Sequence, residues 1–559
     1  MTLLAELKHT AQDHEWYPTT NEIIESFHNH VHHFEIESLL DIGAGNGKVL
    51  TAFRDTNRKQ EHCYATDLLA IEKSQPLLES LPPEIGILGT DFWQQSLLDK
   101  SVDCIFSNPP YSEFVEWSVK VIREANANLI YLVIPQRWKA QKQITAAIEA
   151  RKGGFEVIGS FDFLNSEDRQ ARAKVDLVFI WLCHESQLRG AHQSRSRVGA
   201  MTDPFEQWVC DFFHLDDKQK QTGSDHVRDT ETEKTRKEKV KTALVTGNGM
   251  IEVLDNLYRD ELSFLIGNYQ KVAELDAALF KELEISIRSI TSTLKSRIKG
   301  LKSFYWNELF ENYAPLTNRL TSASRKSFIE SIRRKTNIDF NASNAYAITI
   351  WSIKNADQYL DNQMIETYRK MVNAANVINY KSNEKVFKNN YFRYNWDEHS
   401  HFKLDYRIVI ERIGGIDKRD WTRDARGGLT NSSADFIDDL IVVANNLGFT
   451  STDAVIAHNF EAGKKETFRC IDKAGKETEL MTVRVYMNGN LHLKLNQKFI
   501  LALNVEIGRL KGWIHNVQHA AAEMEEKEEE VSTYYRSSYT LIGDNTLTKL
   551  RGVIQTCTP

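Results

Sequence analysis

The sequence predicts an α/β domain over residues 1–184, followed by a helical and then a mixed α+β C-terminal region. Three observations carry that prediction. Short apolar runs alternate with helical stretches through the first 184 residues, the pattern of a mostly parallel sheet covered on both faces. A glycine-rich turn follows the first run. Beyond a charged stretch, Asp216–Thr242, long helical periodicity replaces the alternation.

The expected strands are Ser38–Ile42, His62–Asp67, Ile85–Asp91, Val102–Asn108, Leu129–Pro135, Phe155–Phe161 and Val175–Leu182, with helices such as Gly47–Thr56 and Glu113–Ala125 between early ones. The last two strands are joined only by Leu164–Lys174, which predicts a terminal hairpin. Residues 185–243 read as a flexible linker containing a short helix, Pro204–Leu215, because Asp216–Thr242 has too few aliphatic side chains to bury a core. Residues 244–378 read as helical, with two long helices over Met250–Phe310. Residues 379–559 read as mixed, with strand pieces Tyr406–Ile413, Thr482–Met487 and Leu491–Leu495. The Asn488-Gly489 pair between the last two is a hairpin turn. One helix is expected from Gln497 to about Glu530, ending in an acidic run.

Composition narrows the classes. Of 559 residues, 41% are hydrophobic and 26% charged, the balance of a globular chain. No apolar run is long enough to span a bilayer, and the N-terminus lacks a signal-peptide core, so a cytoplasmic setting is expected. The six cysteines form no Cys-x-x-Cys pair, which argues against a zinc ribbon or disulfide framework. His399, His401 and Asp405 lack convincing ligand spacing, and no metal is expected. The net charge of −7 divides unevenly: residues 1–184 carry 17 Lys+Arg and 26 Asp+Glu, a net of −9, leaving +2 for the remainder. The acidity belongs to the first domain and does not exclude nucleic-acid binding by the rest.

The strongest chemical signal is Asn108-Pro109-Pro110-Tyr111, placed after an expected strand, where open α/β sheets bind ligands. An amide nitrogen conjugated to a ring or carbonyl is a poor nucleophile. The Asn108 side-chain oxygen and the Pro109 carbonyl can accept its hydrogens and localise its lone pair, while Tyr111 stacks on a flipped base. Asp41-Ile42-Gly43-Ala44-Gly45-Asn46-Gly47 opens a helix after the first strand and differs from the dinucleotide fingerprint. Asp67-Leu68 and Asp91-Phe92, at the ends of the next two expected strands, offer carboxylates for ribose hydroxyls and an adenine amine, with Phe92 as an aromatic wall.

In that order, these motifs resemble the class I S-adenosylmethionine-dependent methyltransferases of the N6-adenine type. Tyr17-Pro18-Thr19, within Trp16–Thr20, resembles that family's N-terminal cofactor motif, and its position first matches the gamma order of DNA amino-methyltransferases. The resemblance implies a Rossmann-like seven-stranded sheet with a reversed last strand, S-adenosylmethionine as cofactor, and a DNA adenine as target. It also implies that Leu164–Lys174 faces the base, with Phe163 as a second stacking residue. Residues from about 244 onward, especially Tyr486–Asn504, resemble a domain of unknown function found behind methyltransferases of phages and mobile elements, which suggests a bacterial self-protection or restriction-modification role. Phosphate and base contacts are expected from the basic stretches containing Arg297, Lys299, Lys302, Arg333 and Arg334, and from the basic-aromatic segment with Lys388, Arg393, Tyr394 and Trp396. Oligomerisation or partner proteins through the C-terminal region, an RNA adenine target, and a cofactor-binding regulatory or assembly subunit remain open alternatives.

Overall fold

The computed structural model describes residues 3–58, 66–194, 236–240, 249–273, 287–327, 338–354, 356–374, 403–417, 426–472 and 474–535, with 196, 198, 204, 205, 208, 209 and 243. Most of the expected linker therefore lies outside the described residues. The chain forms two compact units, one of residues 1–309 and 330–348 with the last three residues, the other of 310–329 and 349–556.

The first unit is built on a seven-stranded sheet: β1 (Ser38–Ile42), β2 (Asp67–Ile71), β3 (Gly86–Gly89), β4 (Cys104–Ser107), β5 (Leu129–Pro135), β6 (Gly154–Asp162) and β7 (Lys174–Trp181). Their order is β3-β2-β1-β4-β5-β7-β6. All neighbours are parallel except β7, which runs antiparallel to both β5 and β6. β5 is buried at every position, as a central strand covered on both faces must be. Helices Asn21–Val31, Lys48–Arg58 and Phe114–Glu124 supply apolar side chains; Phe27, for instance, packs against Phe106 and Tyr131 at 5.0 and 4.8 Å.

One strand differs from expectation. The second strand begins at Asp67 rather than ending there. Leu68–Ile71 is the continuous apolar run, and all four residues are buried, so it fills the sheet interior while Asp67 stands at its edge. The pairing Ser38↔Asp67 puts Asp67 and Leu68 at the amino end of the sheet. Ile42↔Ile71 puts the next residue, Glu72, at the carboxyl end.

This unit also extends past residue 184. Helices Met250–Ala273 and Ile287–Asn312 contribute Tyr258, Tyr305 and Trp306 to an aromatic cluster around Phe340, with centroids 5.1–5.7 Å from that ring. A buried quartet of charges reinforces it. Lys302 Nζ lies 2.6 Å from Asp99 and 2.5 Å from Asp339, and Lys100 Nζ lies 2.6 Å from Asp339. Burial alone would raise the Asp339 carboxyl, but the two ammonium groups overrule it and hold it well below its ordinary range.

The second unit carries an antiparallel sheet, β8 (Arg407–Ile410), β9 (Thr450–Ser451), β10 (Lys465–Ile471), β11 (Glu477–Val485) and β12 (Leu491–Leu495), in the order β8-β12-β11-β10-β9. Asn488-Gly489 does turn β11 into β12, with Gly489 at φ +87°. Helices Asn431–Asn446 and Gln497–Leu510 share one apolar core with this sheet. The single helix expected from Gln497 to Glu530 is three, because Gly512 at φ +70° ends the first; Val517–Met524 and Glu528–Ser532 follow. Asn504 brackets the backbone of Leu404, accepting its N–H at 2.9 Å and donating to its carbonyl at 2.8 Å. Asn504→Ala should orphan both buried groups and cost this unit about 2–4 kcal/mol. Amide hydrogen exchange of the five-stranded sheet measures that loss.

Candidate functional site

The parallel registers bring the ends of β1, β2, β3 and β4 to one edge, where the chain encloses a cavity of ≈ 210 Å³. Its lining includes Asp13–Thr19, Asp41, Gly43, Asn46, Glu72, Asp91, Phe92, Asn108, Pro110 and Trp117. The structure thus gathers Tyr17, Pro18, Thr19, Asp41, Gly43, Asn46, Asp91, Phe92, Asn108 and Pro110 in one place. Asp67 and Leu68 are not among them, for the strand reason above. Ile42 is buried beneath the turn, and Gly45 and Gly47 shape it. Gly45 sits at φ +59°, and a Cβ there would fall 2.4 Å from Trp16 Nε1.

Glu72, which the sequence reading passed over, ties β2 to the glycine turn. Its carboxylate accepts the Gly45 and Ser74 N–H groups, each at 2.7 Å. Burial raises it from its ordinary value to about 7, the three backbone hydrogen bonds at Ser74, Gly45 and Lys73 opposing. Asp41, wholly enclosed, is also raised, by burial first and by Glu72 second. Two adjacent buried carboxyl groups with raised pKa values suit a ligand that brings positive charge or hydroxyl donors. The sequence does contain a signal for Glu72: it is the acid that ends the apolar run, whereas Asp67 precedes it.

Asn108 leaves β4 with its amide held in one orientation. Nδ2 donates to Tyr17 O at 3.0 Å and Thr19 Oγ1 at 3.4 Å. Both partners accept there, so the oxygen must face the other way. Oδ1 is buried without a hydrogen-bond partner among the described residues, as is the Tyr111 hydroxyl. Pro109 is buried beside them. Tyr111 lies parallel to Tyr17 (5°, centroids 6.4 Å) and edge-on to Phe163 at 6.0 Å. Phe163 is fully buried, so it supports the Tyr111 ring and offers no open face for stacking. Burial raises the Tyr111 phenol, with Tyr17 adding to the effect.

The expected base-facing loop after β6 instead clasps the N-terminal segment. Arg169 pairs with Asp13 at 2.5 and 3.0 Å, donates to Trp16 O at 2.6 Å and lies 4.1 Å over the Tyr17 ring. Lys48 reaches Asp168 at 2.8 Å. No sequence signal marks Arg169, because its partner is 156 residues away. Among the expected phosphate contacts, Arg297 and Lys299 are exposed on helix Ile287–Asn312. Lys302 on the same helix is buried in its ion quartet and cannot reach a phosphate. Arg333, Arg334, Lys388, Arg393, Tyr394 and Trp396 lie outside the described residues. Among the described residues no helix is long and apolar enough to cross a membrane.

Residues 19–130 match the family model described as the Methyltransferase small domain. The first unit carries a methyltransferase domain. Residues 298–513 match a second model, a domain of unknown function, DUF4942. No curated protein matches the chain. Solved structures with a similar fold include a complex of E. cuniculi that methylates the eRF1 translation termination factor, at 17% identity, covering 30% of this chain and 98% of that one with a TM-score of 0.23. The 23S rRNA methyltransferase ErmE matches at 13%, over 32% and 76%, with a TM-score of 0.24. The plantazolicin methyltransferase BpumL, with a substrate analogue and S-adenosylhomocysteine, matches at 16%, over 31% and 89%, with a TM-score of 0.25.

The methyl donor of this domain is S-adenosylmethionine, and the cavity fits it: two enclosed carboxylates and an aromatic wall stand where a cationic nucleoside needs them. A ribose hydroxyl donating to Glu72 bonds more strongly to the ionised carboxylate than to the neutral acid. Affinity for the cofactor should therefore fall as pH drops below about 7, by up to about tenfold per unit, and level off above. In the free protein the sign is opposite. The raised Glu72 contributes stability that is fully present below pH 4.5 and lost as pH rises through about 7. Glu72→Gln should remove the part of the binding slope centred near pH 7, as titration calorimetry from pH 5.5 to 8.5 would register.

Proposed function

We propose that this protein transfers the methyl group of S-adenosylmethionine to the N6 amino group of adenine in DNA. The observation that carries the reading is the buried Asn108 Oδ1, without a partner among the described residues and fixed in direction by the two bonds from its own amide nitrogen. The cofactor supplies an electrophilic methyl group on a positively charged sulfur. The chain's residues prepare the other reactant. Asn108 Oδ1 and the Pro109 carbonyl accept hydrogens from an exocyclic amine, draw its lone pair out of conjugation and aim it into the cavity. Tyr111, braced by Phe163, offers a flat face to the base that carries the amine. Asp41 would meet the cofactor's ammonium, Glu72 its ribose, and Asp91 with Phe92 its adenine.

The adenine target is supported by the order of the motifs along the chain, N-terminal cofactor motif first, which resembles that of DNA amino-methyltransferases. Exposed Arg297 and Lys299 provide positive charge on the same unit. A role in marking DNA, as self-protection in a phage or mobile-element setting, fits the resemblance of the C-terminal segment.

Incubation with labelled S-adenosylmethionine and DNA, RNA or protein, followed by nucleoside and peptide analysis, tests the reading. N6-methyladenine in DNA is expected. Label confined to RNA or protein replaces the target, and no label on any polymer favours a binding subunit. Asn108→Ala should lower methyl transfer by at least about a hundredfold while changing cofactor affinity less than about threefold. Wild-type turnover in that variant would remove Asn108 from the chemistry.

A further inference from the structure

We propose that Asn344 is a positioning residue for the cofactor's adenine, acting through the cavity wall Thr90-Asp91-Phe92; this rests on the cofactor reading above. Asn344 lies within residues 298–513, the match to the domain of unknown function, yet it belongs to the methyltransferase unit. Its side chain is wholly buried. Oδ1 accepts from Thr90 N at 2.9 Å, Thr90 Oγ1 at 3.0 Å and Gln95 Nε2 at 3.2 Å. Nδ2 donates to Gln95 Oε1 at 3.0 Å and to Asp339 O at 2.8 Å. Every hydrogen bond of this amide thus goes either to the segment after β3 or to the anchored residue Asp339.

The position matters because of where β3 ends. The pairing of β3 with β2 stops at Ile71↔Gly89, so the sheet supplies no ladder partner to the next amide. Asn344 replaces that partner for Thr90 N–H and takes its hydroxyl as well, while Ser343 Oγ stands 2.8 Å from the same hydroxyl. Asp91 follows directly, its carboxylate bonded to Trp93 N and paired with Lys73, each at 3.0 Å. Fixing Thr90 fixes the start of the wall that Asp91 and Phe92 present to the cavity.

Asn344 is itself immobilised. Asn341 Oδ1 accepts its backbone N–H at 2.8 Å, and five residues before Asn344, Asp339 is clamped between Lys100 and Lys302. Asp339 also accepts Ser96 N at 3.0 Å, so the segment grips the chain on both sides of the short helix Phe92–Gln94. Removing one member of such a buried charge cluster leaves an uncompensated charge, so the cluster admits one arrangement of this segment. The first part of the unknown domain is, on this view, a support behind the wall of the cofactor site rather than a separate module.

The test uses the full chain and two probes, S-adenosylhomocysteine and its deaminated inosine counterpart, which lacks the amine that Asp91 would accept. The wild type should prefer the adenine form. Asn344→Ala should weaken binding of the adenine form by about tenfold and shrink its preference over the inosine form by a similar factor, with kcat at saturating cofactor changed far less than KM. A purely structural role would lower the melting temperature and leave the preference intact, and that result overturns the proposal. Thr90→Val removes only the hydroxyl link and should shrink the preference in the same direction by a smaller factor. If Asn344→Ala does not fold, an unchanged preference in Thr90→Val overturns the proposal. A wild type that binds neither probe overturns the cofactor reading itself, and so is distinguishable from failure of the positioning role.

Discussion

The parallel register of β1 with β2 and β4 is the constraint on which the site depends. Ile42 stands opposite both Ile71 and Ser107, so the next residues of three strands leave the sheet at one level. That single alignment brings the glycine turn, Glu72 and Asn108 around a common space, although they are distant along the chain. A parallel pair cannot be closed by a short turn; each return needs a helix, and those helices bury the sheet on both faces. The carboxyl edge is left as the part of the sheet where polar groups converge on a cavity.

At that edge, neighbours settle what each side chain can do. Asn108 is informative because its nitrogen is already committed to Tyr17 and Thr19, leaving the oxygen as the unspent acceptor. Glu72 is informative for the opposite reason. It is engaged with the Gly45 and Ser74 amides and still sits so deep that its charged form is disfavoured. The N-terminal segment closes over both, held by the Arg169–Asp13 pair and by Arg169 on the Tyr17 ring. Pre-orientation of acceptors and exclusion of water are what a reaction needing little covalent help from the protein requires.

The C-terminal segments contribute more to this unit than their texture suggests. The helix Ile287–Asn312 looks like a basic strip, but its charges have different fates. Arg297 and Lys299 face outward, whereas Lys302 is spent on two aspartates in the interior. Charge read along a sequence counts cations; only packing tells which of them can meet a phosphate. In the second unit, the Asn488-Gly489 turn and the run Leu491–Leu495 are local features, and both were legible as such. The break at Gly512 was not, since one glycine in an otherwise periodic stretch competes with the helix on either side and loses or wins by how the following residues pack. Here Trp513 and Ile514 fold back to bond the Gly508 carbonyl.

What the sequence determined by itself was the class of fold and the place of its strongest motif at the end of a strand. Alternating apolar runs and a polar amide at a strand end are local patterns, written within a few residues of each other. The β1 and β5 boundaries and the terminal hairpin follow from the same kind of signal. What only the tertiary structure decided was which acid stands at the cavity. Asp67 and Glu72 flank one strand, and the choice between them is a choice of register, made by where the apolar run Leu68–Ile71 fits between its neighbours. Arg169 with Asp13, and Asn344 with Thr90, were likewise invisible. Their partners lie 156 and 254 residues away, and hydrogen bonds across such separations leave no periodicity in the chain that makes them.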